Sequence, residues 1–237
     1  VCENTGVRLG ILSDIHANLP ALEAALEALR EEGVDEVLVL GDTLGYGPHP
    51  RQVLKRLRKE GLSPILGAWD LRVLYPQFPV PEGVGKETLA FTRKQLKEED
   101  LRFLEGLRMS HRSTYEGVRL VAFHGLPGNP EARPDLESKD RLLPLLREYR
   151  AQTLLLGGGH LPIGRNLGVG LVADPGSVGL SLGGEHGADV MVLDLPENRV
   201  RFRKVPYDLG PLLFDLRAWG LPLVLEEVYR TGRFPSP

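Results

Sequence analysis

Along this chain, short apolar runs of strand length alternate with segments whose apolar residues recur at helical spacing. Val7 to Ser13 (VRLGILS) predicts a buried strand that stops at polar Asp14. Asn18 to Glu32 follows as a helix, with Leu19, Leu22, Ala25, Leu26 and Leu29 on one face, Asn18 as cap, Pro20 in the first turn and Gly33 as the stop. Asp35 to Leu40 is a second strand ending in Gly41-Asp42, and a Pro-started helix from Pro50 to Glu60 follows the loop TLGYGPH. Such alternation implies parallel pairing with helices on the sheet faces, and ligands then gather beyond the carboxyl ends of the strands.

Ser63 to Leu66 reads as a third short strand, followed by the turn Gly67-Ala68-Trp69-Asp70. Tyr75 to Gly85, rich in proline, reads as an extended loop, and Lys86 to Gln95 and Glu99 to Leu107 as amphipathic helices. Strands recur at Val118 to Phe123, Thr153 to Leu156, Val169 to Ala173, Val190 to Leu195 and Val200 to Val205. Two sheets packed face to face and covered by helices accommodate these strands better than one open sheet. The expectation is one α/β domain over residues 1–237, with 208–237 as a helical tail packed on it.

The 237 residues are 42% hydrophobic and 26% charged, ordinary for a globular protein with a sizeable core. A net charge of −3 gives no general field for nucleic acid or anionic lipid, so any phosphate-bearing ligand would have to be held locally. The single cysteine, Cys2, has no internal partner for a disulfide, and no run approaches the roughly 20 apolar residues of a membrane span. The start VCENTG lacks the pattern of a signal peptide, which makes the cytoplasm the expected location. The apolar tail and the Pro-rich loop are open to two readings, ordinary core packing or the surface of a homo-oligomer.

Three of the six histidines, His16, His124 and His160, fall directly after strand-like runs. Asp14 and His16 lie two apart in SDIHAN, so an extended segment would point both to one side, where they could grip one cation. Asp42 at its strand end is either a helix cap or a ligand. The glycine-rich stretches match neither the lysine-bearing phosphate loop nor the dinucleotide fingerprint, and Ser177 in PGSVG is not in a nucleophile elbow.

Taken together, SDIHANLPALEA, GDTLGYGP, the Gly-x-x-Asp turn, VAFHG, GHLP and DPGSVG resemble the calcineurin-like metallophosphoesterases over almost the entire chain. The resemblance implies a four-layer α-β-β-α sandwich and one or two divalent ions, whether manganese, iron, zinc, nickel or magnesium. It also implies hydrolysis of a phosphomonoester or phosphodiester, from a small molecule or nucleotide, by metal-activated water. Carried over by position, the first ion takes Asp14, His16, bridging Asp42 and His160, and the second takes Asp42 and His124. Two expected ligands of that second ion are absent, because Ala68 stands where the family has asparagine and Gly158 where it has histidine. Asp174 and His186 are candidate substitutes, with a turn-forming aspartate and a loop histidine as the plainer readings. Trp69 occupies the place of a histidine that assists the phosphate in many relatives; indole donates a hydrogen bond but does not titrate, and simple packing is its other reading. The competing functional reading is a phosphate-ligand or metal-binding protein of the same fold with weak or no catalysis.

Overall fold

In the computed structural model, which describes residues 6–235, the first strand β1 (Arg8–Leu12) alternates its side chains between two interiors. Leu9 and Ile11 face a second sheet, whereas Gly10 and Leu12 face helix α1 (Leu19–Glu31). Gly10 leaves the room that Leu29 fills, since a Cβ would stand 2.7 Å from Leu29 Cδ1. Asn18 caps α1 by accepting from the Ala21 N–H at 3.2 Å, as its sequence position predicts.

The remaining elements are β2 (Glu36–Val39), α2 (Pro50–Lys59), α3 (Ala68–Leu74), α4 (Val84–Gln95), α5 (Glu98–Glu105), β3 (Ser110–Tyr115), β4 (Val118–His124), α6 (Lys139–Glu148), β5 (Thr153–Gly157), β6 (Pro162–Asn166), β7 (Leu171–Pro175), β8 (Ala188–Asp194), β9 (Arg199–Val205), α7 (Leu209–Ala218) and α8 (Val224–Thr231). One sheet has the order β2-β1-β8-β9, with β1 and β2 parallel. The other has the order β3-β4-β5-β7-β6, with β4, β5 and β7 parallel.

Leu9, Ile11, Leu38, Leu120, Ala122, Leu155, Met191 and Leu193 fill the space between the sheets. The outer face of the first sheet is covered by α1 and α2, and that of the second by α6 through Leu142 and Leu146. These are the four layers of an α-β-β-α sandwich. The C-terminal helices bury Leu212, Leu216, Leu225 and Tyr229 with Leu180. No described helix is long and apolar enough to cross a membrane. Cys2 lies outside the described residues.

Some elements differ from the sequence reading. Ser63 to Leu66 forms only an isolated bridge, Ile65 to Arg108, because Pro64 lacks a ladder donor. The expected turn at Gly67 opens α3 instead, with Asp70 accepting from the Gly67 N–H at 3.1 Å. Strand β7 begins two residues later than the apolar run suggests. β3, β6 and α6 carry little apolar signal: β3 is polar and half exposed, and α6 holds Pro144 and buries only Leu142 and Leu146.

Leu29 is 1% exposed and seals α1 onto Gly10. Leu29→Ala is expected to cost about 2–5 kcal/mol of stability, read from the urea midpoint at unchanged slope.

Candidate metal centre

Beyond their last residues, β1 and β2 continue side by side as loops joined backbone to backbone. The Asp14 N–H donates to Gly41 O (3.0 Å), that of His16 to Asp42 O (3.0 Å) and that of Ala17 to Thr43 O (2.9 Å). Asp14, His16, Ala17 and Asp42 all lie at positive φ, between 47° and 54°. The expected extended path for Asp14 and His16 is therefore corrected: their side chains converge because the backbone coils through left-handed conformations. Several adjacent non-glycine residues in that region store strain, which the cross-loop hydrogen bonds offset.

Asp42 divides its two oxygens. Oδ1 accepts the Trp69 N–H at the start of α3 (2.7 Å), and Oδ2 lies 3.3 Å from His124 Nε2. It thus anchors a helix N-terminus that is not its own while facing the site. Gly67 permits this approach, since a Cβ there would fall 2.2 Å from Asp42 Oδ1. Sequence reasoning gave no role to Asp70, which is wholly buried and accepts from the N–H groups of Thr43, Leu44 and Gly67 and from Thr43 Oγ1. Burial, and then the nearby charge of Asp42, push the Asp70 carboxyl up to about 6.

Each strand-end histidine spends Nδ1 on a backbone carbonyl: His16 on Leu44 O (3.0 Å), His124 on Leu40 O (2.7 Å) and His160 on Leu180 O (2.7 Å). A carbonyl only accepts, so Nδ1 carries a proton and Nε2 is the nitrogen turned inward. The Nε2 atoms of His16 and His160 stand 3.2 Å apart, and that of His160 is 3.2 Å from Asp14 Oδ1. Facing lone pairs at that distance require a proton or a cation between them. Asp14 Oδ1 is wholly buried and accepts no hydrogen bond, while Oδ2 accepts the Gly158 N–H at 3.0 Å. An orphaned carboxylate oxygen costs free energy unless a cation answers it.

Two groups of ligand atoms among the described residues could hold an ion: Asp14 with His16 and His160, and Asp14 with Asp42 and His124. Asp14 is common to both, and Asp42 Oδ2 lies 4.0 Å from His16 Nε2. Burial alone would raise the Asp14 carboxyl, but the charge of His160 and the close approach of the His16 and His160 imidazoles hold it well below the usual carboxylate range. Burial lowers His124, yet Asp42, Asp14 and the Leu40 carbonyl outweigh it and push the imidazole up to about 10. The mixed nitrogen and oxygen donors, buried and mutually oriented, fit a divalent transition ion.

Neither proposed substitute joins these groups. The Asp174 oxygens accept the N–H groups of Gly159 and Gly176, both at 2.9 Å, which fixes the turn before His160. His186 turns its nitrogens to the carbonyls of Tyr229 (3.1 Å) and Tyr207 (2.8 Å), against the C-terminal helices. Trp69 is 6% exposed, packed edge-on to Tyr46 with ring centroids 4.6 Å apart and beneath the Arg72 guanidinium at 5.1 Å. A Cβ at Gly158 would lie 3.0 Å from His124 Nε2, so this position faces the second group and offers it no ligand atom.

The family model described as the calcineurin-like phosphoesterase superfamily domain matches residues 7–198. The chain belongs to that superfamily. Phosphodiesterase YfcE of Escherichia coli K12 is 28% identical to this phosphoesterase homologue over 190 residues, covering 75% of the chain and 83% of YfcE. The crystal structure of protein PH1004 from Pyrococcus horikoshii OT3 superposes with a TM-score of 0.85 at 26% identity, covering 97% of this chain and all of that one. A metallophosphoesterase from Sphaerobacter thermophilus gives a TM-score of 0.79 at 25% identity, covering 96% of this chain and all of that one. Divalent ions are the usual cofactors of this superfamily, and its members act on phosphate esters.

The His124 shift sets a pH dependence. With a folded value near 10 against about 6.5 when unfolded, this imidazole stabilises the metal-free protein fully below pH 6.5, and the contribution fades as pH rises through 10. An ion entering the second group displaces that proton, so manganese affinity should rise with pH up to about 10. Titration calorimetry at pH 8 in buffers of different ionisation enthalpy should show net proton release; heats independent of buffer would contradict this charge state.

Proposed function

We propose that this protein hydrolyses phosphodiesters or phosphomonoesters with a divalent ion, such as manganese, held by Asp14, His16, Asp42 and His160. A second ion would rest on Asp42, Asp14 and His124 and be held weakly, because Ala68 and Gly158 contribute no ligand atom. The observation that carries the reading is the unanswered Asp14 Oδ1 among inward-facing imidazole nitrogens.

A divalent ion held there would supply Lewis acidity, drawing charge from a phosphoryl oxygen and lowering the pKa of water so that hydroxide is available near neutral pH. The chain's part is orientation. Leu44, Leu40 and Leu180 fix the three rings through their carbonyls. The Trp69 N–H fixes Asp42, and Asp70 stiffens the loop beneath it. Trp69 offers an indole N–H that does not titrate, so the reading favours substrates whose leaving group departs without strong proton assistance, such as aryl phosphate esters.

The open position at Gly158 supports a second reading, a phosphate-binding protein with vestigial catalysis. Turnover of a chromogenic phosphodiester and monoester after manganese loading separates the two. The enzyme reading expects metal-dependent turnover that Asp42→Asn lowers about 10²-fold or more. Stoichiometric metal binding without turnover, with every divalent ion tried, would favour the binding protein. Ala68→Asn should raise the second ion's occupancy and the rate together. Gly158→His is a poorer repair, since φ is 96° there and the new Cβ would crowd His124.

A further inference from the structure

The loop that leaves β4 just after His124 carries an arginine on an unusually firm mount. Arg133 donates through Nε to Asp135 Oδ1 (2.9 Å) and through Nη2 to Asp135 Oδ2 (2.7 Å). The Asp135 side chain is 4% exposed, whereas that of Arg133 is 42% exposed. A two-pronged pair with one buried carboxylate holds geometry that a fully exposed pair would not. The mount is itself braced, because the Arg165 guanidinium on β6 donates to the backbone carbonyls of Glu137 (2.5 Å) and Asp135 (3.0 Å).

The mount adjoins the candidate metal centre. Asp135 Oδ1 lies 3.0 Å from where a Gly159 Cβ would stand, and Gly159 immediately precedes His160. The Gly159 N–H donates to Asp174, and the Gly158 N–H to Asp14. Two residues without side chains therefore separate the arginine's support from both ligand groups. Beyond Asp135, the carboxylates that raise the Arg133 guanidinium are Asp174 and Asp14, a sign that it stands within the field of the centre. Asp135 occupies Nε and Nη2, and a guanidinium has five N–H donors in its fork, so donors remain for a second anion.

We propose that Arg133 is a substrate-binding residue that donates to the non-bridging phosphoryl oxygens of the phosphate ester, with Asp135 as its positioning residue. This rests on the reading of the centre as a phosphoesterase site. The arginine adds fixed positive charge beside the Gly159-His160 turn, and it orients the phosphate without taking part in proton transfer.

The test is calorimetric titration of inorganic phosphate into the full-length, manganese-loaded protein, with metal content measured on the same samples. Arg133→Ala should weaken phosphate binding about 10- to 100-fold at unchanged metal content, and should raise KM more than it lowers kcat. Arg133→Lys should recover part of the affinity, since it keeps the charge and loses the fork. Equal phosphate affinity in wild type and Arg133→Ala, both folded by thermal melt and both metal-loaded, overturns the inference and leaves the metal centre standing. Wild-type protein that takes up no manganese removes the reading of the centre, and the role of Arg133 with it.

Discussion

Three imidazoles turned the same way are the constraint on which this site depends. Each donates its Nδ1–H to the carbonyl of a buried leucine, and each therefore presents Nε2 to a common space shared with Asp14 and Asp42. Moving the Nδ1 proton of any one ring to Nε2 would put a lone pair against a carbonyl oxygen. The backbone, through Leu40, Leu44 and Leu180, thus decides the tautomers, and the tautomers make a cation the natural occupant.

That backbone is held in place by the sandwich. β1 and β2 end side by side, their loops stay paired through three further hydrogen bonds, and β4 and β5 bring His124 and the Gly157-Gly158 turn up from the opposite sheet. Left-handed conformations at Asp14, His16, Asp42 and His160 are tolerable only because these contacts over-determine them. Asp70 does the same from below, where one buried carboxylate collects three backbone N–H groups and the Thr43 hydroxyl. The architecture therefore pre-orders the donors before any ion arrives.

The candidate ligand positions stand out in the sequence as polar residues at the ends of apolar runs, at Asp14, Asp42, His124 and His160, and the fold brings them together. The path between them was not legible, since a side-chain pattern does not reveal positive φ at a non-glycine residue. Asp174 and His186 show the same limit from another side: their types suit a metal, but only the fold reveals that backbone partners already occupy their polar atoms. The polar strand β3 and the Pro-bearing helix α6 bury too few side chains to leave a period, whereas Ser63 to Leu66 had the right apolar character and lacked one N–H. The mount of Arg133 likewise depends on a buried carboxylate two residues away, a burial that no local motif announces.

Crystals of the protein soaked in manganese, with anomalous scattering recorded at the metal edge, test the central claim most directly. A peak within bonding distance of Asp14 Oδ1, His16 Nε2 and His160 Nε2 is the predicted result. A map without density there at saturating manganese, with His160 Nε2 still 3.2 Å from Asp14 Oδ1, would contradict it.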